Sequence, residues 1–147
     1  MSSLSLAPEI ISSIRVEIDN LKAFIDVLKK EEHALIEGVI GDLQTYASVK
    51  SKLIDKLTKF SFTFHKHMGD HGLELEMSNL NNFFPDQSES KIIWEEFMEF
   101  ALLAKELNNS NKMIISALIH HNRCAYTALH CAAEKISVYS SRGQVCT

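Results

Sequence analysis

The chain has 147 residues, 46% of them hydrophobic and 23% charged, the size and make-up of one globular domain built on one core. Its formal charge of −4 comes from 15 basic and 19 acidic side chains, and no basic run exceeds Lys29-Lys30, so there is no electrostatic footprint for a nucleic-acid backbone or an anionic membrane. Only 5 glycines and 2 prolines are present, too few turn formers for a sandwich or a barrel, so long helices are expected.

Pro8 opens the first periodic stretch, with Glu9 in its first turn, as at a helix start. Ile11, Ile14, Ile18, Leu21, Ile25, Leu28, Glu32, Leu35 and Val39 then recur at alternating three- and four-residue spacing, which predicts an amphipathic helix over 9–38. Gly38 and Gly41 bracket a turn, and Asp42 is placed to cap a second helix over 42–68. The seam of that helix is Leu43, Tyr46, Lys50, Leu53, Leu57, Phe60, Phe64 and His67. Residues 69–88 read as a connection that lays Leu80, Phe83 and Phe84 across one end of a bundle, with Pro85 breaking the chain.

Asp86 or Ser88 then caps a third helix over 89–136. Its seam is Ile93, Phe97, Phe100, Ala104, Leu107, Asn111, Ile114, Leu118, His121, Ala125, Ala128 and Ala132. The residues after it, 137–147, read as a flexible tail. The whole, 1–147, is expected to be one all-α domain, an antiparallel bundle of three long amphipathic helices.

Two antiparallel helices joined by a tight turn pair residues whose numbers have a constant sum. Centring the turn on Gly41 sets Glu32 opposite Lys50, the only charged members of the two seams. Charge supports the pairing: residues 9–38 carry seven acidic and four basic side chains, and residues 42–68 two acidic and five basic.

At about 1.5 Å per residue the third helix would reach roughly 72 Å, against roughly 40–45 Å for its partners. Either it runs on alone, or it kinks at Asn108–Asn111, where helix propensity is poor. In both cases Leu118, Ile119, Tyr126, Leu129 and Ile136 lack an intramolecular partner. Such a face binds another chain or a second copy of itself.

Catalytic and metal patterns are weak. His65 and His67 lie on different helix faces, and Gly69 interrupts the step to His71. His120, His121 and His130 have no ligand spacing, and His121 on the seam reads as a buried or half-buried structural residue. Cys124 and Cys131 share a helix face and read as small core residues, while Cys146 is a free thiol near the end. The three cysteines form neither C-x-x-C nor an even framework, as in a reducing cytoplasm. No apolar run approaches the roughly 18–20 residues of a spanning helix, and the first residues lack the order of a secretory signal. No phosphate loop, nucleophile elbow, zinc helix or dinucleotide fingerprint occurs. No metal, cofactor or catalytic residue is expected. A phosphotransfer module through His33, and a helical adaptor or coiled-coil protein without any export role, are the competing readings.

Two stretches carry a resemblance. The first is Glu32 to Gly38, then Leu43, then Lys50-Ser51-Lys52-Leu53-Ile54. The second is Leu107-Asn108-Asn109-Ser110-Asn111 with Ile114-Ile115, then Asn122, then Val138-Tyr139 and Gly143-Gln144. Together they resemble the FlgN-type flagellar export chaperones, with Lys112 and Ser140 standing where that family favours glycine. The resemblance implies a cytoplasmic, non-enzymatic, helical chaperone of type III flagellar export. Such a chaperone holds the terminal segments of the hook–filament junction proteins FlgK and FlgL and brings them to the export gate protein FlhA. It places Leu118, Ile119, Asn122, Tyr126, Leu129 and Ile136 at the client, and Val138 and Tyr139 at the gate, with Tyr126 as the alternative tyrosine for the gate contact. Nucleic acid and stable membrane insertion are excluded, and self-association through the third helix remains open.

Overall fold

A computed structural model describes residues 5–70 and 77–141, with side chains described over 5–69 and 80–135. The first helix, α1, runs Pro8–Glu37. Ala7 precedes it in extended geometry, and Pro8 takes the first helical position, where its missing N–H costs nothing. Gly38 ends it at φ +72°, and the Val39 N–H reaches back to the Ala34 carbonyl at 2.9 Å. That is a left-handed glycine cap closing the orphan carbonyls.

The second helix, α2, runs Leu43–Asp70, and the third, α3, Glu89–Ser141. Between them lies a 3-10 helix, Met77–Phe83, about two turns long. Of the two candidate caps, Ser88 is the one used: its Oγ accepts the Lys91 N–H at 3.2 Å. Asp86 instead pairs with the Lys91 ammonium at 2.6 Å. There are no strands among the described residues. The helix runs uninterrupted through Asn108–Asn111, and it continues to Ser141 where a tail was expected from residue 137.

The chain divides after Asn111 into two units. In the first, contacts fix the directions: α1 and α2 are antiparallel, tied by Glu31 and Lys50, and α3 lies antiparallel to α2, with Phe64 on Trp94 and Phe60 on Phe97. Phe64 and Trp94 stack at 5.0 Å, and the indole is fully buried. Leu80 and Phe84 of the connection join the same core. At one end the Ser90 hydroxyl accepts the Leu6 N–H at 3.0 Å, tying the segment before α1 to the start of α3.

The α2 seam holds, each member being buried or half-buried. The α1 seam holds as far as Leu35, but Val39 is exposed. The buried face of α1 is also wider than one seam: Glu17, Phe24, Val27, Glu31 and Ala34 are buried as well, each one residue ahead of a seam position. A helix flanked by two others buries two adjacent stripes.

That widening corrects the expected ion pair. Lys50 Nζ lies 2.8 Å from the Glu31 carboxylate, so Glu31, not Glu32, is its partner. The turn is centred half a residue before Gly41, which moves the pairing by one position and leaves Glu32 half-buried at the edge. Glu31 also accepts the Asn111 amide at 3.0 Å, while the same amide donates to the Leu28 carbonyl at 2.9 Å. All three helices thus meet at one buried polar knot, Glu31–Lys50–Asn111, in which the carboxylate is compensated by a cation and an amide.

Candidate functional site

The second unit begins at Lys112. Ile114 and Ile115 are half-buried, and every residue from Ser116 to Lys135 is exposed. This overturns three expectations. His121 is exposed rather than buried or half-buried, and Cys124 and Cys131 are exposed free thiols rather than core residues. Small side chains at seam spacing describe a core only where something covers them, and here nothing in the described chain does.

The exposed stretch is nonetheless strongly sided. Advancing about 100° per residue, Leu118, Leu129, Asn122, Tyr126 and Ile119 fall in that order within an arc of about 100°. Leu118 is 41% exposed, Ile119 46%, and Tyr126 and Leu129 each 71%. Arg123, His130 and Glu134 lie at about 120–160° on the same scale, beyond the arc. The later seam positions 121, 125, 128 and 132 carry histidine and alanines, so beyond Leu118, itself a seam position, the bulky apolar surface sits beside the seam.

Local contacts brace the arc from its polar edge. The Tyr126 and His130 rings lie nearly parallel with centroids 6.2 Å apart, and His130 Nε2 is 3.2 Å from the Glu134 carboxylate. These are i, i+4 contacts that hold side chains in place on an exposed helix. The His120 and Cys124 pair, 3.7 Å apart, is another such contact.

The expected site residues therefore separate. Leu118, Ile119, Asn122, Tyr126 and Leu129 share one exposed stripe of α3. Ile136, Val138 and Tyr139 continue the helical backbone, and their side chains lie outside the described residues. His33 is exposed on α1, and no group of three or more histidine, cysteine, aspartate or glutamate side chains could hold a metal among the described residues. No helix among them is long and apolar enough to cross a membrane.

Sequence reasoning missed the role of Asn111. It reads as a weak point of the helix, whereas its 1%-exposed side chain anchors α3 to Leu28 and Glu31. The available signal was its place in the seam, since a polar residue there needs a buried partner.

Neither the curated proteins nor the solved structures contain a significant match to this chain. One family model does match, the FlgN protein family, over residues 1–146. With the helical bundle and the paired sequence stretches described above, that match places the whole chain in one family: it is a member of the FlgN family.

Proposed function

We propose that this protein is a cytoplasmic type III flagellar export chaperone that holds the terminal helical segments of hook–filament junction proteins of the FlgK and FlgL kind and hands them to an FlhA-like export gate. FlgN membership carries the coarser statement, a flagellar export chaperone role in a family that is not an enzyme family. The observation that supports the finer reading is the exposed apolar stripe of α3, Leu118 to Leu129.

The physics is that of a helix laid on a helix. A client segment that must not assemble early has an apolar face seeking cover, and the stripe offers a complementary one at helical spacing. The first unit supplies its own core without the stripe, so occupying the stripe does not require unfolding the scaffold. Tyr126 and Leu129 have the most area to lose to solvent exclusion, and an aromatic with few rotors is an efficient anchor. The client is released by exchange at the gate, where Tyr139, beside Val138, makes the docking contact. No nucleotide or metal takes part.

The test is titration calorimetry of the purified chain with a junction protein's terminal segment. Leu118→Asp and Leu129→Asp should each weaken binding by at least about tenfold, because a charge then enters an apolar contact. Far-UV helicity should stay near that of the parent. Unchanged affinity in both variants would remove the stripe from the client site. Should the chain dimerise through the stripe and ignore the segment, self-association replaces this reading.

A further inference from the structure

Between α2 and α3 lies an open groove of about 740 Å³, floored by Leu21 and Phe24 of α1. One wall presents Ile54, Thr58, Ser61 and His65, the other Phe97, Ala101, Ala104 and Asn108. Both sets step by four, three and four residues, the spacing at which a helix offers holes to the side chains of a neighbour. Each wall spans about 16 Å, three helical turns. The small residues Thr58, Ser61, Ala101 and Ala104 leave room between the larger ones, and Ile54 and Phe62 on the α2 side are 45% and 73% exposed. A fourth helix would complete the bundle here.

The polar groups argue against a small-molecule ligand. Such sites need a few convergent polar atoms to orient their guest. Here the Thr58 hydroxyl donates to the Ile54 carbonyl at 2.8 Å, and His65 Nδ1 is bonded to the Ser61 carbonyl at 2.8 Å. These groups are engaged by the backbone of α2 itself.

Charge selects the occupant. The ionisable lining residues are His65 and Lys105, and no carboxylate lines the groove. On the rim of α2, Lys66 and Lys59 lie about 80–100° round the helix from Thr58, and Asp55 about 60°. The α3 carboxylates Glu95, Glu99 and Glu106 sit about 120–160° round the helix from Ala101, away from the groove. The chain's own stretch 112–135 carries Lys112, Arg123 and Lys135 against Glu134, so it, or its counterpart in a second copy, has the wrong sign. We infer that the α2–α3 groove is a docking site for an amphipathic helix of a partner protein that flanks its apolar stripe with carboxylates. This inference is independent of the α3 stripe.

The experiment titrates the full chain into fluorescently labelled helical peptides at low salt, reading anisotropy. One peptide carries leucines at i, i+4, i+7 and i+11 flanked by glutamates, a second replaces the glutamates by lysines, and a third scrambles the leucines. The glutamate peptide should bind saturably, with the lysine and scrambled versions at least about tenfold weaker. Lys105→Glu, an exposed change, should reduce or reverse that preference, and Ala101→Phe should fill the groove and abolish binding with Trp94 emission unchanged. Leu129→Asp should leave binding intact. Equal binding of the two charged peptides, indifference to Lys105→Glu, or loss of binding in Leu129→Asp would each overturn the proposal. So would a parent dimer, seen by sedimentation, that Lys105→Glu disperses, because the groove would then belong to a second copy.

Discussion

Removing Lys50 leaves the Glu31 carboxylate in the core with only the Asn111 amide for company. Glu31 is 3% exposed, whereas the Lys50 side chain is 17% exposed. Breaking a fully buried pair costs about 3–5 kcal/mol, and water reaching the lysine side brings Lys50→Ala down to about 2–3 kcal/mol. Glu31→Ala frees the lysine to turn outward and costs about 2 kcal/mol in lost packing and hydrogen bonds. The double change removes both charges together, so it should cost less than the singles added, by about 1–2 kcal/mol. Glu32→Ala, at the half-buried edge, should stay within about 0.5 kcal/mol of the parent. The assay is urea unfolding followed by Trp94, the chain's single tryptophan, fully buried in the first unit and therefore a reporter of that unit. Additivity within about 0.5 kcal/mol would refute the coupled knot, and a larger effect at Glu32 than at Glu31 would restore the register centred on Gly41.

Gly38→Ala should cost about 1 kcal/mol in the same assay, because φ is +72° there and no atom lies within 4 Å of the added methyl, so the cost is that of the backbone alone; Gly41→Ala should be near neutral. Burial raises the Glu17 carboxyl above its ordinary value, with the Asn20 amide and the Lys56 charge pulling it part of the way back. The folded state therefore holds that proton more tightly than the unfolded chain, a contribution complete below the ordinary carboxylate range and lost as pH rises through the raised value. Glu17→Gln should accordingly raise the urea midpoint at pH 7, about neutral conditions, with the gain closing as the solution is made acidic. Tyr139→Ala should leave stability and client binding near the parent while gate affinity, measured by calorimetry with client bound, falls by about tenfold; an unchanged value would return Tyr139 to a plain helical position.

The three helices were legible because their signals are local and repeated. Pro8, Gly38 and Ser88 mark ends by backbone chemistry, and three–four spacing marks the faces between them. What was not legible depends on neighbours. Glu31 and Glu32 are adjacent carboxylates, and which one turns inward follows from α1 being flanked by two helices, a fact no single seam contains. The same seam spacing runs through Ala104 and Ala125, yet one is buried and the other exposed, because periodicity reports a helix and its sidedness but not whether a partner exists. On α2 the groove wall lies one residue after the seam, at Ile54, Thr58, Ser61 and His65, and its mixed composition hides a periodic stripe from any reading keyed to bulky apolar residues. Within the site, the large exposed side chains were found at the level of residues. The shape they share needed the helix to run unbroken from Leu118 to Leu129.

Amide hydrogen exchange, with and without a bound junction protein terminal segment, bears most directly on the claim that the exposed stretch of α3 receives the client. In the free chain, residues 116–135 form an exposed helix without tertiary cover, so their amides should exchange far faster than those around Leu28 and Trp94. Client binding should slow exchange across 116–135 by at least about tenfold while the bundle core of α1, α2 and early α3 stays as it was. Protection confined to residues before Asn111, with 116–135 exchanging as fast as in the free chain, would contradict it.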